Sequence, residues 1–317
     1  MSQLTVRPVA GHIGADIDGV DLSVPLAPET VDAIRDALHT YKVVFFRGQT
    51  LDHAAQIAFA RQFGDLTYAH PHDNAPPEGH PEIFTIDPER FEQRYGKEFL
   101  EEYRSKRQYS YFDGWHTDVT AAVNPPAASI LRAETVPAIG GDTQWTNLVA
   151  AYQGLSEPLR RFVDTLRAQH RYGGSTKVEG DSAYAKRIND NLLVAEHPVV
   201  RVHPATGERA LFVNPGFTSH IVGLRPHESK ALLDLLYGEI TRPEYTVRFR
   251  WEPGHVAFWD NQATAHLAPR DLEHLDVQRT LHRVTLIGEV PVGPDGRESE
   301  LLAGRPFTAD HRVAVAS

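Results

Sequence analysis

The chain has 317 residues, 41% of them hydrophobic and 23% charged, with 23 Gly and 22 Pro, the profile of a globular protein rich in turns. Its 32 basic against 42 acidic residues leave a formal charge of −10, which argues against a nucleic-acid partner. Cysteine is absent, so disulfides and thiolate ligands are excluded and any metal must be held by His, Asp, Glu or water. The longest apolar runs, such as Val43-Val44-Phe45-Phe46, have strand length and fall far short of a membrane span. The first residues show neither a basic nor an apolar signal region, so a cytoplasmic protein without a membrane partner is expected.

In chain order, β-branched and aromatic segments between Gly/Pro turns predict strands over residues 4–8, 42–47, 83–86, 127–134, 142–145, 199–203, 210–214, 245–251, 256–260 and 280–289. Helical spacing of apolar residues predicts helices over 27–40, 51–63, 147–155, 157–167 and 226–240. Many short strands with peripheral helices point to a mainly β fold, a sandwich or jelly roll with helical insertions, and not to an alternating βαβ sheet. No segment reads as an interdomain linker or a repeat, so residues 1–317 are expected to form one domain. Residues 71–81 and 87–111 are long polar excursions, the second carrying Tyr95, Tyr103, Tyr109 and Tyr111, and read as lids. The polar stretch 291–317 reads as a peripheral tail.

Chemistry concentrates at Trp115-His116-Thr117-Asp118. In an extended strand, side chains two apart share a face, so His116 and Asp118 can grip one ion together. Seventeen histidines make a lone one weak evidence of ligation, but His-x-Asp at strand spacing is a stronger signal. A third ligand should come from a strand returning to the same end of the barrel. His266 is the best candidate, after the polar turn Asp260-Asn261-Gln262, with His282 as a rival inside a strand pattern and His220, His255 and His274 behind it. Two His and one carboxylate on one face of an ion suit non-haem Fe(II) and leave the opposite positions open. The same donors also suit Zn²⁺ in a jelly-roll hydrolase or isomerase.

Arg279 and Arg283 lie four apart at the start of the strand over 280–289, on one side if that strand is regular. Buried guanidinium groups need anionic partners, and their planar fork binds a carboxylate at two points. Two such groups beside a metal would be costly without anions to meet them.

Several motifs in order resemble the TauD/TfdA group of Fe(II)- and 2-oxoglutarate-dependent dioxygenases. They are Gly14-Ala15-Asp16-Ile17-Asp18-Gly19-Val20-Asp21-Leu22, Val43-Val44-Phe45-Phe46-Arg47, Trp115-His116-Thr117-Asp118-Val119-Thr120, Gly140-Gly141-Asp142-Thr143-Gln144-Trp145, Trp259-Asp260-Asn261 and His282-Arg283-Val284-Thr285. The resemblance runs from Val6 to about Val290 and implies a double-stranded β-helix with iron at its open end. It implies His116, Asp118 and His266 as ligands of Fe(II), and Arg279 with Thr143 as the site for the distal carboxylate of 2-oxoglutarate. It implies an oxygenase that couples O₂ and 2-oxoglutarate to oxidation of a small anionic substrate, and relatives imply a homo-oligomer, dimer or tetramer. Asp118 argues against a halogenase, in which the carboxylate position is vacated.

The same resemblance puts Arg283, His70, Val119 and Phe217 on the substrate side. It also pairs Asp73 with an expected tyrosine and Phe112 with an expected asparagine. Replacing polar contacts with an aromatic wall points away from taurine and towards a larger, more apolar acid: an alkyl sulfate or sulfonate, or a secondary-metabolite carboxylic acid. Taurine is the second reading. A catalytically silent binding protein would need a broken ligand set or a missing Arg279, and neither is seen. A zinc hydrolase would have no use for the Thr143–Arg279 carboxylate clamp.

Overall fold

All four residues of β3 (Val43–Phe46) are buried, and alternation divides them between two cores. Val44 and Phe46 join one apolar cluster, Val43 and Phe45 another. This pattern repeats across the sheet and builds the architecture. The computed structural model describes residues 4–71, 76–87, 112–172, 189–272 and 274–309.

The largest sheet has seven strands, in the order β1 (Thr5–Pro8), β2 (Ala15–Asp18), β3, β13 (Val256–Asp260), β5 (Ala128–Thr135), β15 (Thr280–Leu286) and β4 (Phe84–Ile86). Its pairings are antiparallel except β2 with β3. On its outer face lie α1 (Pro28–Tyr41) and α2 (His53–Arg61). Helix α1 buries Val31, Ile34, Ala37 and Leu38, a stripe at helical spacing that packs on Val44, Phe46 and Phe258. Full burial of side chains such as Ile34 and Leu38 is worth about 1.5–3 kcal/mol each relative to exposure.

The inner face of this sheet packs on a three-stranded sheet, β12 (Thr246–Phe249), β6 (Thr143–Asn147) and β14 (Thr264–Leu267). Phe45, Leu131, Ala257, Trp259 and Leu281 meet Trp145, Val247 and Phe249 between the two sheets. Two opposed, mainly antiparallel sheets with helices outside form the expected jelly roll with helical insertions.

A further cluster surrounds Trp115, where α3 (Leu148–Gly154) and α5 (Pro226–Ile240) pack on β9 (Val200–Val202), β10 (Arg209–Leu211) and the start of β14. Beside it stands a four-stranded sheet, β11 (Thr218–Ile221), β7 (Arg167–Arg171), β8 (Val194–Pro198) and β16 (Glu300–Ala303).

Several elements differ from expectation. The helix predicted over 157–167 is α4 (Glu157–Val163), and the chain turns so that Arg167 opens β7 and its Nε donates to Glu196 at 2.6 Å. Strands β2, β7, β8, β11 and β16 were not predicted. In β7 and β11, polar residues such as His170 and Thr218 are buried and hydrogen-bonded to each other, so no apolar alternation marks them. The stretch after Pro291 is not wholly detached: β16 pairs with β8, and Ser299 is buried.

Candidate active site

His116 and His266 are tied by reciprocal backbone hydrogen bonds, His116 N to His266 O at 2.9 Å and His266 N to His116 O at 2.7 Å. This is a single antiparallel bridge, so the strand expected through His116 and Asp118 is one paired residue long, and the chain turns at Asp118. The turn falls on Val119, whose φ of 42° places a β-branched residue in the left-handed region. Such a conformation costs about 1–3 kcal/mol and persists only where the surroundings hold it. Opposite, a Cβ at Gly216 would stand 2.8 Å from the Cβ of His116, so glycine is needed for the loop carrying Phe217 to come this close.

His116 Nδ1 donates to Gly114 O at 2.9 Å, which leaves the lone pair on Nε2. His266 Nε2 lies 3.9 Å from Asp118 Oδ1, and its buried Nδ1 has no hydrogen-bond partner among the described residues. One ligand atom from each of His116, Asp118 and His266 lies within 4.8 Å of the others. Burial pushes the His266 imidazole down to about 3, with the nearby His116 acting in the same direction, so the ring is neutral and able to ligate. Burial alone would raise the Asp118 carboxyl, but Arg283, His266, His116 and a hydrogen bond from Ser129 outweigh it and hold the group ionised well below the usual carboxylate range. Two neutral imidazoles and one carboxylate are the right chemistry for a divalent ion.

The two carboxylate oxygens are differentiated. Ser129 Oγ donates to Oδ2 at 2.6 Å, Asn261 Nδ2 donates to Ser129 Oγ at 2.8 Å, and Trp259 Nε1 donates to Asn261 Oδ1 at 2.9 Å. Every member of this relay is buried. It occupies Oδ2 and turns Oδ1 towards His266. Sequence reasoning missed it: Trp259 and Asn261 lie in a recognised motif, but nothing along the chain marks Ser129.

A second group, His39, His203 and Asp260, also has ligand atoms close together. There His203 Nε2 donates to Asp260 at 2.8 Å, while Nδ1 accepts from Ala205 N and Thr206 N. Both nitrogens of His203 are used, so this group is a satisfied hydrogen-bonded core and not a ligand set.

Thr143 opens β6 and is buried; its hydroxyl accepts from Trp251 Nε1 at 2.9 Å, which leaves its own proton to donate. Arg279 precedes β15, and the ladder shifts register between Thr280 and Leu281, so simple alternation does not relate it to Arg283. Its Nε donates to Gly141 O at 3.0 Å, which holds the guanidinium two residues along the chain from Thr143. Cβ atoms at Gly140 and Gly141 would meet Leu272 at 2.7 and 2.9 Å, and one at Gly141 would lie 3.1 Å from Arg279 Cδ. The two glycines (φ 72° and 70°) therefore make room for the arginine. The nearby carboxylates Asp142 and Asp271 are bound by Arg248 at 2.6 and 3.0 Å. Burial lowers Arg279 to about 10, still protonated at neutral pH.

Arg283 is buried, contacts Asp118 Oδ1 through Nη1, and has no partner for its buried Nε–H among the described residues. Its guanidinium carbon lies 5.2 Å from the ring centroid of Phe84. From there an aromatic arc continues: His70 stacks on Phe84 at 4.9 Å, Tyr172 meets His70 at 6.0 Å, Phe217 meets Tyr172 at 5.6 Å, and Phe217 lies 6.3 Å from the His116 ring. Val119 packs with Phe217 and Leu193. Thus His70, Val119, Phe217 and Arg283 come together. Phe84 and Tyr172 were not foreseen.

Phe112 does not join them. It packs with Trp115 and Tyr237 in the helical cluster, its ring 5.4 Å from Tyr237, because the chain turns before Trp115 and points the side chain away. Asp73 and the excursion over 88–111 lie outside the described residues. The rival ligand His282 faces the opposite side of the sheet from Arg283, 3.0 Å from Glu134 and 3.2 Å from Thr85.

Residues 5–285 match the family described as taurine catabolism dioxygenase TauD, TfdA family. The chain is 45% identical to an alpha-ketoglutarate-dependent sulfate ester dioxygenase of Pseudomonas putida, across 94% of each chain. It is 37% identical to an alkylsulfatase of Acinetobacter baylyi, across 97% of this chain and 92% of that one. Among solved structures, a taurine dioxygenase from Burkholderia xenovorans is 50% identical over 99% of both chains, with a TM-score of 0.83.

Proposed function

This chain belongs to the TauD, TfdA family, and we propose that it is an iron(II)- and 2-oxoglutarate-dependent oxygenase acting on an alkyl sulfate or similar organic acid, larger and more apolar than taurine. The observation that carries the reading is a pair of cations: Arg283, on Asp118 and with an Nε–H that has no partner among the described residues, and Arg279, held by Gly141 O at the entry to β6, the strand whose Trp145 pairs with His266. A hydrolase needs no such pair.

His116 and His266 as neutral imidazoles, with Asp118 as carboxylate, would hold the iron. Thr143 and Arg279 would take the distal carboxylate of 2-oxoglutarate, the hydroxyl donating because its lone pair already receives the Trp251 proton. Bound iron, 2-oxoglutarate and O₂ supply the C–H oxidation and release succinate and CO₂. Arg283, its guanidinium over the Phe84 face, anchors the anionic head through the Nε–H that has no partner among the described residues. The arc from Phe84 to Phe217 surrounds the apolar part of the substrate and displaces water from it. Hydroxylation at the carbon bearing a sulfate oxygen gives a hemiacetal sulfate, which expels sulfate and leaves an aldehyde. The two substrate-like relatives support sulfate as the head group. We extend the reading to one domain over the whole chain, cytoplasmic and assembled as a dimer or tetramer.

Anaerobic addition of Fe(II) and 2-oxoglutarate should give a visible metal-to-ligand charge-transfer band, lost in Arg279→Ala at the same 2-oxoglutarate concentration. Aerobically, octyl sulfate should drive release of succinate, sulfate and octanal in equal amounts. Strong coupling to taurine with none to alkyl sulfates would replace this substrate assignment with the second reading.

A further inference from the structure

The segment after β16, expected to be a peripheral tail, returns to the site. Two features hold it there, Gly304 and the Asn124–Phe307 pair, beyond an anchor on the near side of β16. Just before β16, Ser299 Oγ pairs with His197 Nδ1 at 2.7 Å and with Pro291 O at 3.0 Å, and His197 Nε2 donates to Thr120 O at 2.8 Å, two residues after Asp118. Gly304 (φ 93°) crosses over Leu193, where a Cβ would stand 2.6 Å from Leu193 Cδ2 and 2.8 Å from Leu192 O, so a side chain there would lift the segment away. Asn124 grips Phe307 at both backbone groups, Nδ2 to Phe307 O at 3.1 Å and Phe307 N to Oδ1 at 2.8 Å.

Asn124 is itself buried at the end of the turn that begins with Asp118, and its Nδ2 also reaches Gly288 O at 3.3 Å. Phe307 is consequently seated on the cluster of Val119, Leu193, Phe217 and Tyr172. That cluster continues the aromatic arc away from Arg283. An anion whose head is at Arg283 would extend its tail along the arc towards Phe307.

We propose that residues 304–307 form a strap, with Phe307 as the far wall of the substrate pocket and the determinant of alkyl-tail length, and Asn124 as the residue that positions it. The inference rests on the alkyl-sulfate reading above. It also explains why the polar tail contains a large aromatic residue that is only partly exposed.

The test is a series of linear alkyl sulfates (butyl, hexyl, octyl) assayed by aldehyde release with full-length enzyme. Each methylene that reaches buried surface should raise kcat/KM about fourfold in the wild type. Phe307→Ala should raise the KM for octyl sulfate about tenfold. Its KM for butyl sulfate should rise far less, and its Fe(II)–2-oxoglutarate charge-transfer band, which needs no sulfate substrate, should stay. Phe307→Leu should recover part of the length preference, and Asn124→Ala should reproduce Phe307→Ala with Phe307 intact. A wild-type preference for length that survives unchanged in Phe307→Ala overturns the strap alone. Equal losses on all three sulfates in both Phe307 variants also overturn it, since that is a structural effect. Wild-type enzyme inert towards every alkyl sulfate overturns the proposed function, and this inference with it.

Discussion

Ser129 shows how much of the site depends on residues that carry no charge. Its hydroxyl takes Asp118 Oδ2, and Asn261 and Trp259 hold it in turn, so the carboxylate presents Oδ1 in one orientation. Partners of this kind typically change metal affinity 10–100-fold. Ser129→Ala should weaken binding of Mn(II) or Co(II) by about that factor, and Ser129→Thr should retain most of it. Isothermal titration with either ion checks this; equal affinities in wild type and Ser129→Ala would remove the relay from the account. Ser129 is invisible in the sequence because an inward serine on a strand reads like any other. His116, Asp118 and His266 were legible because two sit in one short motif and the third follows a polar turn. Phe112 was placed on the substrate side by resemblance, and its packing with Trp115 and Tyr237 depends on contacts that a motif does not encode.

At the level of elements, the turn before β6 sets the position of Arg279. Gly140 and Gly141 adopt positive φ and leave the space that Arg279 and Leu272 occupy. Gly141→Ala places a Cβ 2.9 Å from Leu272 Cδ1 and imposes a left-handed alanine, a strain of about 1–3 kcal/mol. The KM for 2-oxoglutarate should rise about tenfold, while Mn(II) affinity measured without 2-oxoglutarate stays constant. A parallel fall in both would mean that the turn supports the whole site and not Arg279 in particular. Elements that are continuous apolar runs between turns, such as β3 and most of β13, were legible in the chain. Strands β7 and β11 were not, because their buried residues are polar and satisfied by partners far away in sequence.

The whole molecule encloses a polar core behind the Asp118 turn. His170 bonds to Thr120 Oγ1 at 2.9 Å, Asn214 Nδ2 donates to the same oxygen at 3.1 Å, and His197 joins Thr120 to Ser299. Burial pushes His197 down to about 3 and His170 well below its ordinary value, so both are neutral in the folded protein. An unfolded chain takes up protons on these rings below about pH 6.5 while the folded chain does not. Their stabilising contribution is therefore complete above about pH 6.5 and lost progressively as pH falls, for His197 towards about 3. Melting temperature should decline across that window before the carboxylates titrate. His197→Gln, which cannot ionise, should show a shallower decline between pH 6.5 and 4.5; a slope identical to wild type would show that the ring does not govern acid stability.

Part of the candidate site was legible before the fold because ligation of a divalent ion demands His and carboxylate at short spacing, as in His116-x-Asp118, whereas the roles of Thr143 and Arg279 came from resemblance. Short β-branched and aromatic runs between Gly/Pro turns likewise pointed to a β-rich layered fold. The proposed substrate pocket is different in kind. Phe84, Tyr172 and Phe307 come from three separate parts of the chain, and Asn124 meets Phe307 across 183 positions. Apolar side chains carry no directional code, so which of them face the substrate is decided only when the sheets close and bring those surfaces together.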